Sequence, residues 1–194
     1  YLIRSGGIVI FPRLVAAEHR MEGDRSSIAS GIDALDKMLG GGIDRGTSTL
    51  IMGPAGSGKS ALATQYAVAA AKRGERAAMF IFEESLSSLH HRSHSIGMPL
   101  DELVQQGTIR IYQVDPAQLQ PGEFAYLVRR SVEQDKARVI VIDSLNGYMN
   151  AMPEERFLQI HLHELLTFLG QQGVVSFLVM AQHGLIGSHM QSPM

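Results

Sequence analysis

Residues 53–60 read Gly53-Pro54-Ala55-Gly56-Ser57-Gly58-Lys59-Ser60 and satisfy the pattern G-x-x-x-x-G-K-[ST] at every constrained position. Glycines at the bends let the backbone curl until successive N–H groups converge on one centre, and such a centre binds phosphate oxygens. A helix starting near Lys59 adds the positive end of its dipole. In this chemistry the Lys59 ammonium reaches the β- and γ-phosphates of a nucleotide, and the Ser60 hydroxyl ligates Mg²⁺. The phosphate-binding set therefore runs from Gly53 to Ala61, the residue that continues the helix.

Carboxylates follow at the ends of two later apolar runs. Val139-Ile140-Val141-Ile142-Asp143 reads as a buried strand closed by an acid. Beside a phosphate loop, an Asp so placed holds Mg²⁺ together with the serine hydroxyl. We expect its strand to lie next to the strand that feeds the loop. Phe82-Glu83-Glu84-Ser85 closes another run. Ligands of open α/β sheets bind outside the carboxyl ends of the strands, where a glutamate can orient and deprotonate water or a hydroxyl. Glu83 is the first candidate base, with Glu84 supporting it or meeting a neighbouring subunit; the plainer reading is an acidic pair at a helix N-terminus. Gln182, ending the run VVSFLVMAQ, is placed either to sense the γ-phosphate or simply to leave the strand.

These groups need a scaffold that brings distant strand ends together. Apolar runs of strand length fall at 47–52, 77–82, 109–114, 139–142 and 174–180. Stretches with helical spacing lie between them, at 60–73, 86–97, 100–106, 123–134 and 154–169. The alternation predicts an α/β fold, a three-layer P-loop core with a mostly parallel central sheet. Residues 28–39 predict a short helix stopped by Gly40-Gly41-Gly42. The run Gly7–Phe11 predicts a single strand, and a strand alone needs a partner.

The composition agrees with a globular domain: of 194 residues 45% are hydrophobic and 19% charged. A net charge of -2 supplies no field to hold nucleic acid or an anionic membrane. The absence of cysteine excludes disulfides, thiolate metal sites and a Cys nucleophile. No apolar run has the length of a membrane span and no leader pattern opens the chain, so a cytoplasmic protein is expected. The sequence begins at Tyr1 rather than Met, and reads as cut at both ends.

Further residues carry a family likeness. Ser30-Gly31-Ile32-Asp33-Ala34-Leu35-Asp36 and Leu39-Gly40-Gly41-Gly42-Ile43 precede the loop; Phe82-Glu83-Glu84 and Ile142-Asp143-Ser144-Leu145 follow it. Over about residues 26–190 the sequence resembles RecA-superfamily ATPases of the KaiC/RadA branch, and most of all KaiC-type domains. The resemblance implies ATP with Mg²⁺, two such domains in tandem, and hexameric rings with ATP between subunits. It implies that Glu83 and Glu84 are catalytic together with Lys59, and that Ser95 lies near the nucleotide. It makes residues 1–24 the tail of a preceding domain, and residues 25–194 an ATPase domain lacking its C-terminal strands. In the family those strands supply basic residues to a neighbour's site.

Three activities share such a site: ATP hydrolysis, the first expectation; autokinase transfer to a Ser or Thr; and a RadA-type DNA-dependent ATPase. A nucleotide-binding scaffold without turnover is a fourth reading. The third needs basic or aromatic loops, and the segment after Asp143 offers Tyr148 with little positive charge, so nucleic acid is not an expected partner. The protein partner is not legible. His90, His91 and His94 share a helix but show no acidic or Cys neighbour in sequence, His161 and His163 do not face each other, and Arg129-Arg130 reads as a solvated or subunit-contacting pair.

Overall fold

The computed structural model describes residues 2–4, 6–11, 14, 26–117, 121–150 and 155–182. In chain order the elements are β1 (Leu2–Arg4), β2 (Gly7–Val9), β3 (Ser27–Ile28), α1 (Asp33–Met38), β4 (Ile43–Asp44), β5 (Ser48–Gly53), α2 (Lys59–Lys72), β6 (Arg76–Ile81), α3 (Leu86–Ser95), α4 (Leu100–Gln105), β7 (Ile109–Gln113), α5 (Pro121–Glu133), β8 (Ala137–Asp143), α6 (Leu145–Asn150), α7 (Glu155–Gln171) and β9 (Val175–Ala181). The expected linker up to residue 24, apart from Leu14, and the sequence after Gln182 lie outside the described residues.

Five strands form one parallel sheet in the order β5-β9-β8-β6-β7. The central strand β8 is apolar in both directions. Ile140 and Ile142 face a layer built from α5, α6 and α7, where Phe80, Phe124, Tyr148 and Phe168 pack. Val139 and Val141 face the opposite layer, where Ala63, Tyr66 and Ala67 of α2 meet Met79, Ile81 and Phe177. A strand buried on both faces cannot alternate with polar residues, which is why these runs are continuous in sequence. The Tyr66 and Phe177 rings stack with centroids 4.4 Å apart. α2 is alanine-rich because it is pressed against the sheet, with Ala63, Ala67 and Ala70 fully buried.

Two expectations about the N-terminal part change. The run at 7–11 is not a lone strand: β2 pairs antiparallel with β1, Ile3 opposite Ile8. Phe11 then packs on Tyr126 of α5 at 5.7 Å, and Leu14 is buried in the core on that side. The predicted helix over 28–39 is shorter. Ser27–Ile28 is a strand paired with β4, and the helix begins only at Asp33. Gly31 interrupts it with φ +77, a left-handed turn that Asp36 holds by accepting bonds from the Ser30 N–H (2.7 Å), the Ser30 hydroxyl (2.7 Å) and the Gly31 N–H (3.1 Å).

A third correction concerns strand order. β8 does not lie beside β5; β9 is inserted between them. The local run of residues does not encode which strand neighbours which, and the long connection through α6 and α7 returns the chain to that gap. Ser176 marks the junction, its hydroxyl bonded to that of Ser48 at 2.7 Å. Among the described residues β5 is thus an edge strand, with Leu50 and Met52 half-exposed.

Candidate functional site

The parallel sheet places every strand's carboxyl end on one rim, and the candidate residues collect there. β5 ends at Gly53 and the chain curls through Gly56 (φ +78) and Gly58 (φ +86) into α2. Gly58 is the residue before the helix and supplies no side-chain cap, so the first N–H groups of α2 stay available to a ligand. Lys59 lies across the loop and donates to the Pro54 carbonyl at 2.6 Å.

A cavity of about 340 Å³ opens against this loop. Ala55, Gly56, Lys59 and Ser60 form one wall; Glu83 and Glu84 after β6, Asp143 at the end of β8 with Ser144 next to it, and Val179 and Ala181 of β9 form the rest. The loop, the paired glutamates and the strand-ending aspartate, far apart in sequence, therefore share one space. The inserted β9 does not separate Asp143 from the loop: Ser60 and Asp143 line the same cavity, close enough for the serine to act on the Asp143 carboxyl.

Asp143 is only 8% exposed. Burial pushes its carboxyl above the ordinary value, and Glu84 and Glu83 push the same way; the Ser60 hydrogen bond and the Arg92 guanidinium oppose them. Three carboxylates crowd one cavity while the nearest ammonium is turned to a backbone carbonyl. Such a site is relieved by a cation. Its donors, a hydroxyl and a carboxylate, are the hard oxygens that Mg²⁺ takes alongside phosphate oxygens and water. Among the described residues no cluster of three or more His, Asp or Glu groups is arranged to hold a metal.

The two glutamates are held differently. Glu83 Oε2 accepts from the Ser144 hydroxyl at 2.7 Å, and Ser144 Oγ in turn accepts the Gly147 N–H at 3.2 Å. The Asp143–Ser144 peptide is cis. Glu84 faces the other way, onto the Arg92 fork of α3. α3 starts at once after the pair because the Ser85 hydroxyl caps it, accepting the Ser88 N–H at 3.2 Å.

Gln182 sits directly past β9, and its N–H donates to the Gly53 carbonyl at 3.0 Å. Asn146 of α6 clamps the same strand end, bonding both the N–H (2.9 Å) and the carbonyl (3.3 Å) of Ala181. Ser95 is placed elsewhere, at the far end of α3, with its hydroxyl donating to the Arg92 carbonyl at 2.9 Å. It does not line this cavity.

Sequence reasoning missed Ser144 and Arg92 as site residues. Arg92 had no signal in sequence: Glu84 precedes α3, so helical spacing does not relate the two, and only the turn into the helix brings them together. The histidine reading also changes in part, because the turn between α3 and α4 brings Asp101 to His90. Tyr148 is no stacking platform: it is 1% exposed, packed on Phe124 at 4.8 Å, and burial pushes its phenol above the ordinary range. Arg129 pairs with Glu133 one turn on, at 2.9 Å. No described helix is long and apolar enough to cross a membrane.

The family model described as "ATPase: KaiC" matches residues 28–190. A circadian clock oscillator protein KaiC of Acaryochloris marina is 28% identical over 97% of this chain and 36% of its own length. The protein of that name from Picosynechococcus sp. is 27% identical over the same shares, and circadian clock oscillator protein KaiC 1 of Synechocystis sp. is 25% identical. The chain thus spans about a third of the length of these curated relatives.

Proposed function

Since this chain belongs to the KaiC family of ATPases, we propose that it binds ATP with Mg²⁺ and hydrolyses the terminal phosphate. The observation that carries the reading is the convergence of Ser60, Asp143, Glu83 and Lys59 on one cavity at the phosphate loop.

The loop N–H groups and the start of α2 hold the phosphates. Lys59 exchanges the Pro54 carbonyl for phosphate oxygens, a swap of one acceptor for a charged and stronger one. Ser60 and Asp143 would hold Mg²⁺, which when bound neutralises charge on the phosphates. Glu83 has one oxygen fixed by Ser144 and turns the other, Oε1, to an attacking water. The water oxygen forms the new bond to phosphorus, the bond to the β-phosphate oxygen breaks, ADP leaves with that electron pair, and the proton passes to Glu83 Oε1. Gln182, whose N–H bonds the Gly53 carbonyl beside the loop, would then report the γ-phosphate to β9. The DNA-dependent reading loses its one aromatic candidate, since Tyr148 is buried.

The family likeness further implies a ring, a hexamer with ATP between subunits. The half-exposed Leu50 and Met52 on the sheet's edge strand suit burial by a further segment or subunit. Mass measured in solution with and without ATP tests this, and a strictly monomeric species in both states would reject it.

The hydrolysis reading is tested with γ-labelled ATP and Mg²⁺, beside Lys59→Ala. Label released as free phosphate, and reduced at least about a hundredfold in the variant, supports hydrolysis. Label retained on the protein supports phosphotransfer to a hydroxyl instead. Tight ATP binding with neither product rejects both and leaves a scaffold.

A further inference from the structure

Resting on the hydrolysis reading, we propose that Arg92 is a positioning residue: it holds Glu84 as its fixed counter-charge and so leaves Glu83 as the single base of the site. The geometry divides the two neighbouring glutamates. Both oxygens of Glu84 are engaged by one guanidinium, Oε1 by Nε at 3.2 Å and Oε2 by Nη2 at 2.7 Å. A fork of this kind fixes a carboxylate in plane and in orientation, where an ammonium would fix only its distance. Glu83 has one oxygen on Ser144, and among the described residues its other oxygen carries no hydrogen bond.

The pair is no freely solvated surface contact. Each side chain is about a quarter exposed, at 26% and 27%, and the third guanidinium nitrogen, Nη1, is buried with no hydrogen-bond partner among the described residues. A cation held that way depends on its one carboxylate, and the carboxylate on it, so the two act as a unit. Arg92 does not line the cavity; it reaches Glu84 from α3, behind the wall. Without it, Glu84 becomes a loose third anion beside Glu83 and Asp143. It would then compete for the same water, and repel charge at the point where the reaction places a proton.

The test is a double-variant cycle on the full-length protein. Steady-state ATP hydrolysis is followed for the wild type, Arg92→Ala, Arg92→Lys, Glu84→Gln and the double variant Arg92→Ala/Glu84→Gln. We expect Arg92→Ala to lower kcat about tenfold with KM within about twofold, and Arg92→Lys to recover part of the loss. The double variant should fall no further than the worse single variant, because both changes break one unit. Losses that multiply to about a hundredfold, an unchanged kcat in Arg92→Ala, or an effect confined to KM would overturn the assignment. Thermal melts and equilibrium ATP binding accompany each variant. Should Arg92→Ala not fold, Arg92→Gln takes its place in the cycle under the same criteria. Absence of phosphate release from the wild type would overturn the hydrolysis reading and this role with it, whereas wild-type turnover with multiplying losses would overturn the Arg92 role alone.

Discussion

Asp143 is held above its ordinary value of 3.8 by burial and by the two glutamates. Its folded state therefore binds a proton more tightly than its unfolded state, and stability falls as pH rises through the raised value. Once ionised, the carboxylate opposes folding until a cation meets it. Asp143→Asn, which keeps the size and an acceptor for Ser60, should raise the melting temperature of the nucleotide-free protein at pH 7. The same variant should lose Mg²⁺-dependent hydrolysis, and below pH 3.8 its advantage in melting should vanish. Equal melting at pH 7 would mean that the carboxylate crowding is not felt. The place of this residue was legible as an acid ending a strand near the loop serine. Its electrostatic burden was not, because that depends on Glu83 and Glu84 arriving from another strand. Arg92 was hidden for a similar reason: its partner precedes the helix, so no intrahelical spacing announces the pair.

At the scale of elements, length decided what could be read. The five sheet strands are long apolar runs and were legible, as were the helices between them apart from α6, whose six residues leave too short a pattern. β3 and β4 are two residues each and leave no periodic signal. Their junction instead depends on Asp36, whose carboxyl is held below its ordinary value chiefly by the Ser30 N–H and hydroxyl. That stabilisation is present above pH 3.8 and is lost as pH falls through the lowered value. Asp36→Asn should therefore lower the melting temperature at pH 7 and match the parent in strong acid, which a pH series of thermal melts checks. α6 carries a different constraint. A Cβ on Gly147 would sit 2.5 Å from the Phe82 Cβ, one residue before Glu83. Gly147→Ala should cost about 1–3 kcal/mol in urea unfolding, and slow turnover by displacing Glu83, with a wild-type result in both assays counting against this packing.

For the whole molecule, the site couples four strand ends, so a ligand there stabilises the sheet as a unit. ATP with Mg²⁺ at a hundred times its dissociation constant should add about 2.7 kcal/mol, which raises melting by roughly 5–10 °C for a domain of this size. Lys59→Ala should abolish the shift, and a shift that survives the substitution would place the nucleotide elsewhere. Strand order was the part of the architecture least legible in sequence, because it is a property of the long return through α6 and α7 rather than of any local run.

The hydroxyl contact between Ser48 and Ser176 joins positions 128 residues apart. It marks where the phosphate-loop strand enters the sheet, and it sets a timetable for folding. During synthesis β5 emerges early but has no neighbour until β9 follows, whereas β6, β7 and β8 can associate sooner. Pairings across such separations close slowly, since the chain entropy between them is lost before any contact forms. The nucleotide site is thus completed late, and ATP cannot template the nascent domain; it can only lock a sheet already closed. Refolding started with ATP and Mg²⁺ present should proceed at the same rate as without them, with the ligand's effect confined to unfolding.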